Sequence, residues 1–148
     1  MTLARWALLA VAAAPSCSPP DEPLELAPLT GRQIFMAKCT ACHEPDGRGI
    51  PGLCPPLSGS PFLQGPPEDL IRLLLLGMKG KVVRDGKTFS GIMPAWRFDL
   101  NDAQIASVIN DLYVRWHPAA PPVTESQVRE IRQATEGHPL FPPAPAVR

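Results

Sequence analysis

The segment Cys39-Thr40-Ala41-Cys42-His43 sets two thiols two residues apart, with an imidazole directly behind the second. Three chemistries use a C-x-x-C pair: a redox disulfide, a zinc shell and covalent attachment of a haem. The redox disulfide belongs at a strand-to-helix turn in a βαβ pattern, and no such pattern surrounds Cys39. Zinc needs four ligands, usually as two pairs. The chain offers no second C-x-x-C and no H-x-x-x-H, and Cys54, His117 and His138 stand alone. Cys42 and His43, being adjacent, point apart and do not suit one small ion. Haem attachment uses every residue of the motif: both thiols add across the two vinyl groups, and His43 sits under the iron to supply a nitrogen.

A second axial donor must then come from Met36, Met78, Met93, His117, His138 or a lysine. Met36 is three residues before Cys39, too close to reach across a macrocycle. Met93 lies in the irregular stretch "SGIMPAW", 50 residues beyond His43, where Pro94 stiffens the chain just behind it. Met93 is therefore the candidate ligand. Met78, in "GMKG", reads as a packing residue. His117 and His138 flank prolines near the tail and read as exposed.

These residues need elements to position them. Thr30 is a helix N-cap, with Gln33 at the capping-box spacing, and the short helix that follows delivers the C-x-x-C-H. A Gly/Pro-rich loop, "PDGRGIPGLCPPLSGSP", comes next. Pro67, Glu68 and Asp69 open a second helix that Gly77 closes. A short hairpin around Asp85-Gly86 fits the irregular stretch after it. Asn101 and Gln104 cap a third helix. Its apolar stripe runs through Ile105, Val108, Ile109, Leu112, Tyr113 and Trp116. The fold class is mainly α: three main helices and long irregular loops, with a core so small that a bound cofactor would complete it.

The 148 residues balance 14 Lys and Arg against 14 Asp and Glu, which argues against nucleic acid or an anionic membrane surface as partner. Of 20 prolines, 12 fall outside residues 30–117, so a compact centre sits between extended arms. Residues 1–16 have the layout of a secretory signal, and Ala14 and Ser16 before Cys17 resemble a lipoprotein cleavage site. Pro15 and the missing Leu at position 14 depart from that pattern, so lipidation of Cys17 and plain cleavage both stay open. The resulting division is a signal over 1–16, a Pro-rich tether over 17–29, a central domain over 30–117, and an extension over 118–148 with a short helix and a Pro-rich tail. The chain is expected in the periplasm, touching a membrane only through a lipid at Cys17.

From "TGRQIFMAKCTACHEPDGRGIPG", "CPPLSGSP", "DLIRLLLLGMKG", "GKTFSGIMPAW" and "LNDAQIASVINDLYVRW", the chain resembles class I c-type cytochromes. The closest likeness is to small bacterial monohaem domains that accompany membrane-bound dehydrogenases and oxidases. "PAAPPVTESQVREIRQAT" looks like the usual C-terminal extension of such domains. The resemblance implies a cytochrome c-like fold around one haem c and a single-electron carrier serving redox partner proteins. It also implies that Gly31 and Phe35 pack near Tyr113, and that the Pro55 carbonyl accepts the His43 ring N–H. Such domains often carry a large apolar residue where this chain has Cys54. Packing is its plain role, and a disulfide to Cys17 is the alternative if Cys17 carries no lipid. Two other functions remain: a ligand-binding or sensor haem protein with a labile sixth position, and an electron-entry subunit of a larger complex.

Overall fold

The computed structural model describes residues 28–143. The signal, most of the tether with Cys17, and residues 144–148 lie outside the described residues. The described residues form six helices: α1 (Gly31–Lys38), α2 (Thr40–His43), α3 (Pro61–Gln64), α4 (Pro67–Leu76), α5 (Asp102–Trp116) and α6 (Glu125–Ala134). Between α4 and α5 run two short antiparallel ladders. Strand β1 (Met78–Lys79) pairs with β4 (Ile92–Met93), and β2 (Val82–Arg84) pairs with β3 (Lys87–Phe89). The mainly helical class stands. In the central domain α1, α4 and α5 are joined by two single-turn helices, α2 and α3, and α6 falls in the extension.

Local chemistry accounts for the boundaries. The Gln33 N–H donates to Thr30 Oγ1 at 3.3 Å, and the Thr30 N–H donates back to Gln33 Oε1 at 2.8 Å. The same reciprocal pair opens α5 at Asn101 and Gln104, at 2.8 and 3.0 Å. A third opens α6 at Thr124 and Gln127, at 2.8 and 3.3 Å. Pro67 stands in the first turn of α4, and Gly77 ends that helix at φ 69°, where a side chain would be strained. Asp85 and Gly86, both at positive φ, make the turn of the β2–β3 hairpin.

Helices α1 and α5 cross closely because Gly31 lacks a side chain: a Cβ there would overlap the Ser107 carbonyl. One turn on, Phe35 is buried with its ring 6.0 Å from that of Trp116. The crossing is therefore centred on Ser107 and Trp116, either side of Tyr113.

The extension joins the same core. Val123, Val128 and Ile131 are buried there, and α6 lies against α4 and α5. Arg132 fastens α6 by donating to Asp102 Oδ1 at 2.6 Å and to the Leu100 carbonyl at 2.8 Å, while Arg97 donates to the Thr135 carbonyl at 3.1 Å. The chain then returns to the end of α4. The Phe141 N–H donates to the Leu76 carbonyl at 2.8 Å, and the Lys79 N–H to the Pro142 carbonyl at 3.2 Å.

Gly31→Ala forces a methyl into the Ser107 backbone, and such overpacking costs about 1–3 kcal/mol. A lowered melting temperature is expected, with a smaller loss at Gly52→Ala, where a Cβ would meet nothing within 4 Å and only the strain of a φ of 74° remains. Equal melting temperatures for Gly31→Ala and wild type would show that the helices can separate without cost.

Candidate cofactor site

The motif sits where α1 gives way to α2. Cys39 caps α1, its N–H donating to the Phe35 carbonyl at 2.9 Å. Its carbonyl in turn accepts the His43 N–H at 2.9 Å, which closes the tight turn Thr40–His43. Thr40 Oγ1 donates to the Met36 carbonyl at 2.8 Å and braces the step between the helices. Glu44 at φ 61° ends the turn. One turn of chain therefore presents Cys39, Cys42 and His43 together.

All three line one large apolar cavity, with about 1520 Å³ of empty space including its mouth. Phe35, Leu63, Leu70, Leu74, Val108 and Leu112 bring the core to its wall, so four helices, α1, α3, α4 and α5, share it. Met93 and Met78 line it from the β1–β4 ladder, where they stand directly opposite each other. Side chains opposed in a ladder project to the same face, so the two sulfurs enter the site as neighbours, which spacing alone had not disclosed. The Met93 loop is tied to α4: the Trp96 N–H donates to the Leu74 carbonyl at 2.8 Å, and Gly77 lies against the Met93 carbonyl. Across the mouth, the Ser90 N–H donates to the Gly52 carbonyl at 3.0 Å and joins two loops.

Burial pulls the His43 ring below its ordinary range, which keeps it in the neutral form that offers a lone pair to a metal. Burial also pushes the thiols of Cys39 and Cys54 up to about 11. Pro55 lines the cavity, but the polar group beside His43 Nδ1 is Cys54 Sγ, at 3.2 Å. The Pro55 carbonyl accepts from that thiol at 3.8 Å. Cys54 is thus a half-buried wall residue with a polar neighbour, a role its position in the Pro-rich loop did not signal. Of the remaining candidates, His138 is exposed, and His117 is half-buried with its ring edge-on to Tyr113 at 5.9 Å. Neither lines the cavity, nor does Met36.

The donor set and the cavity fit a haem. Two thiols and a neutral imidazole share one wall, thioethers are available from the ladder, and the rest of the lining is apolar enough to hold a flat macrocycle out of water. No group of three or more His, Cys, Asp or Glu side chains clusters among the described residues, so none reproduces the shell that zinc requires.

Comparison with known proteins agrees. Residues 27–110 match the family described as cytochrome c oxidase, cbb3-type, subunit III. The chain is 36% identical over 118 residues to a cytochrome c-552 of Thermus thermophilus, covering 74% of this chain and 78% of that protein. It is 33% identical over 107 residues to the gluconate 2-dehydrogenase cytochrome c subunit of Pantoea cypripedii, covering 70% of this chain and 24% of the relative. To the cytochrome c subunit of the quinone alcohol dehydrogenase of Gluconobacter oxydans it is 29% identical over 113 residues, or 74% and 23% of the two chains.

In the double variant Cys39→Ala/Cys42→Ala, no haem stain should follow the polypeptide through a denaturing gel, and the cooperative thermal transition should weaken. Haem that stays with the denatured double variant would rule out attachment through these thiols.

Proposed function

This chain belongs to the c-type cytochromes, in the family described as cbb3-type cytochrome c oxidase subunit III, and on that premise we propose that it is a single-electron carrier with one haem c per chain, ligated by His43 and Met93. The observation that carries the proposal is that Cys39, Cys42, His43 and Met93 line one apolar cavity together. Bound there, haem supplies a one-electron couple whose potential a thioether ligand raises.

The residues divide the work. Cys39 and Cys42 hold the group covalently, so it is not lost when the protein exchanges partners. His43 coordinates from the tight turn at the end of α1. Met93 coordinates from the ladder, and the ties from Trp96 to Leu74 and from Gly77 to Met93 hold it in place. With His43 and Met93 both holding the iron there would be no site on it for a substrate, and the protein's part would be burial, tuning and presentation. Three apolar side chains at the cavity mouth, Leu53, Val83 and Ile92, are 43%, 56% and 66% exposed and offer a docking rim. A short-lived contact of modest area suffices for electron transfer.

The partner is a redox enzyme, a dehydrogenase, oxidase or reductase. The names of the relatives favour this: cytochrome c subunits of gluconate and alcohol dehydrogenases. The same chemistry serves a free carrier or an electron-entry subunit of a complex. No helix among the described residues is long and apolar enough to cross a membrane. We place the protein in the periplasm, either free or anchored by a lipid on Cys17.

Two experiments test these assignments. The oxidised wild type should show the weak methionine-to-iron charge-transfer band and bind carbon monoxide slowly or not at all. Met93→Ala should lose the band, take up carbon monoxide and show a lower potential, whereas Met78→Ala should keep all three properties and lose only packing. Loss of the band in Met78→Ala with retention in Met93→Ala would transfer the ligand role to Met78. Rapid carbon monoxide binding by the wild type would replace the electron carrier with a ligand-binding protein. Separately, mass spectrometry of the membrane fraction should find the mature chain beginning at a lipid-modified Cys17. An unmodified Cys17 in a soluble fraction would make the protein a free carrier.

A further inference from the structure

The cavity is apolar almost throughout, and besides His43 only two basic side chains line it, Lys38 and Arg84. They differ in setting. Lys38 is exposed, and its ammonium lies over the Trp96 ring at 5.4 Å from the centroid. Arg84 is largely enclosed, with a side chain only 14% exposed. Its guanidinium donates to the carbonyls of Pro56 and Ser58, and Gly59 lies against it, so the loop after Cys54 wraps the charge.

Every one of those partners is neutral. The sole carboxylate in reach, Asp85 Oδ2, is 3.8 Å away on a side chain that is 88% exposed, the kind of ion pair that contributes little. Across the hairpin the register sets Arg84 directly opposite Lys87, which adds a like charge. An enclosed charge without a counter-ion is costly. An anion within the cavity would remove that cost. The haem of the reading above carries two carboxylates on one edge, and a guanidinium suits a carboxylate through its paired N–H donors.

We infer that Arg84 is the carboxylate anchor of the cavity, taking a haem propionate and so orienting the group that Cys39 and Cys42 attach. This inference rests on the haem reading and adds a binding residue to it. Its electrostatic consequence follows directly. A fixed positive charge beside the propionate offsets the negative charge near the iron and favours the reduced state. Without Arg84, the uncompensated propionate favours the oxidised state. Arg84 therefore helps to set the potential as well as the orientation.

The test uses the loaded protein, with the reduction potential measured at low ionic strength for wild type, Arg84→Lys, Arg84→Gln and Lys38→Gln. Arg84→Gln should shift the ratio of reduced to oxidised protein about tenfold toward oxidised, equivalent to about 59 mV for one electron. Covalent haem and the charge-transfer band should be unchanged. Arg84→Lys should recover most of the shift, and Lys38→Gln should show little. In wild type labelled with ¹³C at the propionates, one carboxyl should titrate well below the other, and this measurement stands even if Arg84→Gln fails to fold. An unchanged potential in Arg84→Gln with a lowered melting temperature would leave Arg84 as a tie to Pro56 and Ser58 and overturn the inference. So would two propionates titrating alike, or a shift in Lys38→Gln instead. A wild-type chain without covalent haem would instead overturn the parent reading, and this one with it.

Discussion

The rest of the structure depends on one apolar cavity that several helices frame together. Helices α1, α4 and α5 turn buried residues such as Phe35, Leu74 and Leu112 toward a cavity and not only toward each other. The cavity is the place for a partner larger than any side chain, and its apolar lining becomes affinity for a flat apolar ligand. Thus the features that secure the fold and the features that secure the cofactor are the same residues.

Holding such a cavity open requires ties that do not pass through its centre. The structure places them around the rim. Gly31 brings α1 hard against α5, and three reciprocal caps fix where α1, α5 and α6 begin. Backbone bonds from Trp96 to Leu74 and from Phe141 to Leu76 gather the methionine side onto the end of α4. The clamp of Arg97 and Arg132 binds α6 to the turn before α5. Stiffness at the periphery allows softness inside, and a rigid frame keeps reorganisation small when charge on the cofactor changes.

Much of this could be read in the chain beforehand. Capping pairs are strictly local, so Thr30/Gln33 and Asn101/Gln104 announced α1 and α5, and the i, i+3, i+4 stripe of α5 announced its buried face. The attachment motif is local too. Thr124/Gln127 carried the same signal for α6, the short helix of the extension. The packing of Val128 and Ile131 into the main core could not be heard in local sequence. Pairings across distance were the harder part. That Met78 stands opposite Met93 depends on a ladder only two residues long on each side, too short for alternation to show. That Cys54 faces His43, and that Arg84 reaches the loop of Pro56 and Ser58, depends on how irregular segments fold over one another. Such contacts have no period to detect.

The bond from Ser90 to Gly52 joins the loop that follows His43 to the segment just before Met93. It ties together the two stretches of chain, one before and one after α4, that carry His43 and Met93. On the proposal of attachment through Cys39 and Cys42, the thiols would be most open to reaction before this bond forms. The layout of the chain suits that order, since Cys39 and Cys42 precede Ser90 in synthesis.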